Sequence, residues 1–221
     1  SSPRLSLLPP AFEGATAASG ATRRYRDDQA AAPATAPALP DWWPASAAAD
    51  PLVYVTFGSV AADIGLFPML YQAVVGAVAD LPMRVLLTLG AAGDPEALAP
   101  LPPNVHVERW WPQADVMGHA SAMVGHGGFG TTLAGMAAGV PQVVVPLFAD
   151  QPHNAARVEA IGAGIALEGG PAAIGGLADA LRRLLDGDWY RAGAARVAEQ
   201  IGRLPPASEA VALLEGMAAP R

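Results

Sequence analysis

From Leu52 onward, short runs of β-branched and other apolar residues alternate with longer stretches in which apolar residues recur every three or four positions, and few folds satisfy that alternation. Residues 52–57, Leu-Val-Tyr-Val-Thr-Phe, predict a buried strand, after which Phe67, Leu70, Val74 and Val78 mark one face of a helix. Further strands are expected at residues 85–89, 105–108, 122–125 and 142–146, with a sixth, short one at 164–167. Near-continuous apolar strands separated by helices imply right-handed βαβ crossovers and a parallel sheet covered on both faces. The expected class is therefore α/β, with a Rossmann-like six-stranded sheet. Helical spacing then dominates the remainder, around residues 174–185, 190–201 and 208–217, and no internal repeat is present.

The part before this alternation has another character. Residues 14–50 are rich in Ala, Pro and small polar residues, and Pro33, Pro37, Pro40 and Pro44 interrupt any helix. The expected division is a lead-in or linker over residues 1–50 and one domain over residues 51–221. With 221 residues, 52% of them hydrophobic, the chain can bury a sizeable core. A net charge of -7 provides no long-range attraction for a polyanion, so nucleic acid is not an expected partner and any phosphate must be held by local groups. Zero cysteines exclude disulfides and thiolate metal sites, and fit a reducing compartment, with the cytoplasm as the expected location. No run of 18 apolar residues occurs, so no membrane span is expected. The first residue is Ser1 rather than Met, which suggests a piece cut from a longer chain.

Ligands of an open parallel sheet collect outside the carboxyl ends of its strands. Three clusters fall there. The first is Trp110-Trp111-Pro112-Gln113, after the third strand, where an indole could lie under a base; stacking of this kind contributes about 1–3 kcal/mol. A large aromatic at a strand end is more often core, but neighbours on a strand point to opposite faces, so both tryptophans cannot easily be core. The second cluster, His126-Gly127-Gly128-Phe129-Gly130-Thr131-Thr132, opens a helix whose unpaired amides and positive end suit a diphosphate, with His126 as an added donor and Thr131 as a hydroxyl. The third is Asp150-Gln151, after the fifth strand, able to accept from and donate to several hydroxyls, or to cap the helix that follows. Gly58 and Ser59, after the first strand, form a small-residue turn that reaches the phosphates from the other side, unless Ser59 simply caps the next helix.

Two other patterns compete. Gly125 to Gly130 satisfies G-x-G-x-x-G, with Asp150 twenty residues on, as in a dinucleotide-binding dehydrogenase. Here, however, the motif follows the fourth strand rather than the first, and it leaves the tryptophan cluster without a role. Asp186-Gly187-Asp188 resembles a metal-holding acid triplet but follows a helical run, so a polar helix end is expected there and no metal site is assigned. His106, His119 and His153 have no spacing that suggests metal binding or nucleophilic work.

Taken together, the clusters resemble the C-terminal, donor-binding half of a GT-B family 1 glycosyltransferase of the bacterial antibiotic and macrolide-tailoring type. The family's plant members run from W-x-P-Q through H-C-G-W-N-S to D-Q; here the counterparts are Trp110 to Gln113, His126 to Thr131 and Asp150-Gln151. The form H-G-G-x-G-T-T, together with Val140-Pro141-Gln142 and the run from Asp150 to Ala155, is similar to the bacterial enzymes. The resemblance covers about residues 52–167 closely. It implies that Trp110 stacks on the nucleobase, the Trp111 backbone bonds its edge and Gln113 supports the loop. It also implies that His126, Gly128, Phe129, Gly130 and Thr131 hold the diphosphate, while Asp150 and Gln151 hold the sugar.

Where plant enzymes carry a ribose-gripping glutamate, this chain has Ala134, which favours a dTDP-sugar over a UDP-sugar. The resemblance further implies inverting, metal-independent transfer to a small-molecule hydroxyl, with the nucleotide sugar as substrate and no cofactor. The histidine base and the acceptor pocket would belong to an N-terminal domain, so no catalytic proton carrier is assigned here. Residues 3–25 resemble the interdomain connection, with a short strand at 23–25, and residues 208–217 resemble a helix that braces the first domain. A non-catalytic nucleotide-sugar-binding module and an NAD-dependent oxidoreductase domain are the alternatives.

Overall fold

The computed structural model describes residues 4–13, 22–27 and 37–218, so residues 14–21 and 28–36 of the lead-in, Pro33 among them, lie outside the described residues. Two short strands come first, β1 (Arg4–Ser6) and β2 (Thr22–Arg24), with helix α1 (Pro10–Glu13) between them. The main run follows: β3 (Leu52–Thr56), α2 (Met69–Val78), β4 (Arg84–Thr88), β5 (Val105–Glu108), α3 (Gln113–Met117), β6 (Ala122–Gly125), α4 (Phe129–Ala137), β7 (Gln142–Val144), α5 (Gln151–Ala160) and β8 (Gly164–Ala166). Three helices close the chain, α6 (Leu177–Asp186), α7 (Asp188–Gly202) and α8 (Ser208–Ala218).

Strands β3 to β8 form one six-stranded sheet in the order β5-β4-β3-β6-β7-β8, every pair parallel. All five residues of β3 are buried because both faces are covered. Val53 and Val55 face a cluster with Val74 of α2 and Leu181 of α6. Leu52 and Tyr54 face the opposite cluster, with Val116 and Met117 of α3. Complete burial of such a side chain stabilises by about 1.5–3 kcal/mol, which is why β-branched and leucine residues fill this strand and its neighbours. The strand order runs one way from β3 to β5 and the other way from β6 to β8, and at the switch point between β3 and β6 the two flanking loops diverge to leave a crevice.

The lead-in is anchored where it is described. Trp42 and Trp43 pack against the cluster containing Leu52 and Tyr54, and Trp43 Nε1 donates to the Asn104 carbonyl at 3.1 Å. Near the start, β1 pairs in parallel with β2, and Phe12 of α1 is buried against Leu133, Val158 and Val197. The backbone of Arg26 exchanges hydrogen bonds with residues 205 and 207, joining this two-stranded piece to the segment before α8. Helix α8 leaves Val211 54% and Leu214 51% exposed. Among the described residues no helix is long and apolar enough to cross a membrane.

Buried Glu13 ties the two-stranded piece together. It accepts from Arg4 at 2.8 Å, from Arg24 and from Ser6 at 3.2 Å. Desolvation pushes its pKa up, but the Arg24 and Arg4 guanidiniums and the Ser6 hydroxyl outweigh it, and the net direction is down. A depressed carboxyl stabilises the fold above its ordinary value, and that contribution is lost as pH falls through the lowered value. Urea unfolding of Glu13→Gln should therefore show a deficit at neutral pH that closes as the medium is acidified through the carboxylate range. A deficit independent of pH would mean that the carboxylate charge contributes nothing.

Candidate functional site

A cleft of about 490 Å³ opens at the carboxyl ends of the strands, over the switch point. Strand β6 ends at Gly125, and the next residue, His126, turns its ring into this space between the loops that follow β3 and β6. The Nε2–Cε1 edge of the ring abuts two glycines, so that a Cβ on Gly58 would stand 2.8 Å from Cε1 and one on Gly128 would stand 2.3 Å from Nε2. Gly58 also adopts φ +74°, a conformation that side-chain-bearing residues rarely take. Burial lowers the His126 pKa from its ordinary value; the Thr56 backbone and the Asp150 carboxylate act the other way and are outweighed. Nδ1 is buried without a hydrogen-bond partner of good geometry.

Helix α4 starts directly beyond. Gly128 is its N-cap and makes no side-chain cap, and the first backbone bond runs from the Thr132 amide to the Gly128 carbonyl at 3.0 Å. The amides of Phe129, Gly130 and Thr131 precede that bond and form a donor set at the positive helix end. A Cβ on Gly130 would meet nothing within 4 Å, so this turn is open to a ligand. Gln113 donates from Nε2 to Thr131 Oγ1 at 3.4 Å and links the tryptophan loop to α4.

Strand β5 stops at Glu108, two residues short of Trp110, which stands 71% exposed on the rim of the cleft. Its neighbour Trp111 points inward and meets Trp42 edge to face at 4.8 Å. The two tryptophans thus divide between rim and packing, as neighbours in an extended chain must. Ser59 lines the cleft and is no helix cap; Ala61 occupies the N-cap position of the turn that follows.

The acid-amide pair divides as well. Gln151 is buried on the wall of the cleft, and its Oε1 accepts from the Leu147 and Phe148 amides at 2.8 and 2.9 Å, leaving Nε2 as the side chain's remaining donor. Asp150 instead lines an adjoining hollow with Arg4, His153 and Arg157, and Phe129 forms the wall shared with the cleft. Asp150 sits at the N-cap of α5 without capping it; Asn154 Nδ2 bridges Asp150 Oδ2 at 2.9 Å and the Gly127 carbonyl at 2.8 Å. Ala149, just before, has φ +56°, a strained value for a residue with a Cβ.

The cleft therefore gathers Gly58, Ser59, Trp110, Trp111, Gln113, His126, Gly128, Phe129, Gly130, Thr131 and Gln151, with Asp150 next door. Sequence reasoning missed Thr56 and Thr88 on the floor, Gly90, Phe148 and Arg109, all of which line it. The rule that ligands gather at strand ends would have found the two threonines, and position beside Trp110 would have found Arg109. Among the described residues no three His, Asp or Glu side chains are grouped to hold a metal. Asp188 pairs with Arg191 in the first turn of α7. His106 contacts Glu108, and His119 donates to the Pro37 carbonyl at 2.8 Å.

The family described as erythromycin biosynthesis protein CIII-like, C-terminal domain, matches residues 72–217. The chain belongs to this family. Among curated relatives, the 4'-demethylrebeccamycin synthase of Lentzea aerocolonigenes is 33% identical over 84% of the chain, which spans 44% of that protein. Among solved structures, the glycosyltransferase SnogD of Streptomyces nogalater superposes with a TM-score of 0.76 at 33% identity, over 98% of this chain and 57% of its own. The glycosyltransferase VinC in complex with dTDP superposes with a TM-score of 0.65 at 26% identity, over 87% of this chain and 50% of its own. The chain thus spans about half the length of these proteins. It is a C-terminal domain of the antibiotic-tailoring glycosyltransferase type, and its six-stranded parallel sheet is the corresponding half of a GT-B fold.

Proposed function

We propose that this CIII-like domain, residues 51–221 with residues 1–50 leading in, binds the donor in an inverting, metal-independent glycosyltransferase. The donor is a nucleoside-diphosphate sugar, dTDP in preference to UDP, and the sugar passes to a hydroxyl of a small natural product. The observation that carries this reading is that one cleft brings together an exposed indole, a half-buried imidazole beside an open helix N-terminus, and the Gln151 amide. Trp110 stacks on the base. His126 and the amides at the start of α4 take the diphosphate, and Gln151 with Asp150 takes the sugar hydroxyls. As the glycosidic bond breaks, negative charge grows on the departing diphosphate. Donors already aimed there stabilise the transition state more than the ground state. The acceptor pocket and the general base belong to the half that the relatives possess and this chain does not span.

Ala134, buried on α4, offers no carboxylate to a ribose hydroxyl, which supports the preference for a deoxyribose donor, and VinC was solved with dTDP. Calorimetric titration of the chain with dTDP, UDP, GDP and NADH tests both levels. dTDP should bind most tightly. Heat from NADH alone would leave an oxidoreductase domain as the better reading, and UDP binding as tightly as dTDP would remove the base preference. Mixed with a matching N-terminal half, the chain should restore transfer from a dTDP-sugar; binding without any turnover would favour a sensing module.

A further inference from the structure

We propose that Trp42, 68 residues before Trp110 in the lead-in, is a positioning residue that holds the nucleobase platform in place. This rests on the donor-binding reading above. Trp110 touches no other aromatic ring among the described residues, so its attitude must be set by the chain on either side of it. On the N-terminal side, the Gly90 amide donates to the Arg109 carbonyl at 2.9 Å. On the C-terminal side there is, among the described residues, no comparable backbone tie until the turn of α3, and the hold falls to the Trp111 side chain, whose Nε1 is buried without a hydrogen-bond partner there. Packing alone fixes Trp111, and Trp42 meets its ring edge to face, at 4.8 Å and 83°.

Trp42 is itself fixed from behind. It lies flat on His106 of β5, with ring centroids 4.1 Å apart and 7° between the planes, and His106 Nε2 is held by Glu108 at 2.9 Å. Trp43 stands edge-on to Trp42 at 5.3 Å, and its own Nε1 is bonded to the Asn104 carbonyl. Further back, the His119 ring donates to the Pro37 carbonyl and fastens the start of the segment. A rigid strand residue, a stacked indole and a second indole thus form a continuous column ending next to Trp110. Aromatic pairs of this geometry add free energy beyond their buried area, so the column resists tilting of the loop. An indole that merely covered apolar surface would be indifferent to which ligand the cleft holds. A buttress of Trp110 affects the base and not the phosphates.

The test uses calorimetric affinities of the 221-residue chain for dTDP and for inorganic pyrophosphate, which reports on the His126 and α4 end alone. Trp42→Ala should raise the Kd for dTDP about fivefold, as expected for losing one aromatic pair, and leave that for pyrophosphate unchanged. Trp42→Phe, which keeps an edge-to-face partner, should recover most of the loss. In a Trp110→Ala background, Trp42→Ala should cost dTDP nothing more. Equal losses for dTDP and pyrophosphate, an unchanged dTDP affinity, or additive losses with Trp110→Ala would each overturn the proposal. If Trp42→Ala does not fold, His106→Ala removes the stack beneath the indole and must give the same split between the two ligands; equal losses there count against the proposal too. A wild-type chain that binds dTDP no more tightly than pyrophosphate has no base platform, and the donor-binding reading falls with this one. Tight dTDP binding that ignores Trp42 removes this inference alone.

Discussion

Replacing His126 by alanine should weaken dTDP by about tenfold to a hundredfold, the range of a hydrogen bond to a charged group, and leave the free nucleoside almost unaffected. The ring lies at the cleft end of β6, with burial lowering its pKa and its Nε2 edge towards Gly58 and Gly128. On the proposed reading, a bound diphosphate places negative charge against that edge and should raise the pKa that burial has lowered. Binding then takes up a proton over the interval between the two values. dTDP affinity should accordingly rise as the solution is acidified from neutrality, more steeply than in His126→Ala. The phosphate's own titration is common to both proteins and cancels in the comparison. Calorimetry in two buffers of different ionisation heat reads the proton directly; equal uptake with and without the histidine, or equal losses of nucleoside and nucleotide, would show a purely structural ring.

Gly128→Ala should be as damaging as removal of the histidine itself. Gly128 has φ -60° and ψ 136°, which any residue adopts, so backbone strain is not the issue. The new Cβ would fall 2.3 Å from His126 Nε2 and 2.8 Å from Cε1, well inside contact distance, and the ring must turn away from the phosphate position. Retreat is restricted because the same edge also abuts Gly58. Overpacking of this sort costs about 1–3 kcal/mol in stability, and loss of the ring's contact should lower dTDP affinity by a factor similar to that for His126→Ala. A double-mutant cycle isolates the cause: with His126 already alanine, Gly128→Ala should cost little in either stability or binding. Gly58→Ala behaves differently, because at φ +74° a Cβ also brings about 1–2 kcal/mol of backbone strain that persists without the histidine. If Gly128→Ala cost the same in both backgrounds, the steric account of the pair would be wrong.

The main run of elements was legible because side-chain burial has a period. Val53, Val55 and Leu87 face one covered side of the sheet while Tyr54 and Leu86 face the other, so residues 52–55 and 85–87 are apolar throughout. Leu70, Val74 and Val78 mark the inner face of α2 in the same way, and the helical spacing after residue 174 becomes α6, α7 and α8. The glycine-rich turn was readable for a related reason: only bare backbone leaves helix amides open to a ligand, and Gly128 and Gly130 stand at the start of α4. These properties are local, set by a few consecutive residues and the face they must bury.

The chain's order alone therefore determined an α/β domain with its polar and glycine-rich turns at the strand ends, along with the identity of most groups in the cleft. Tertiary structure decided the rest, because a cleft is made where loops from separate strands approach, and the strand order that brings β3 beside β6 is set by global packing. Only in three dimensions do Gly58 and Gly128 prove to share one imidazole edge, does Arg109 reach the cleft wall, and does Asp150 turn into the hollow behind Phe129. Trp42 shows the limit most clearly: nothing in an Ala- and Pro-rich lead-in marks its indole as a neighbour of Trp111, since that contact depends on where residues 37–50 cross β5.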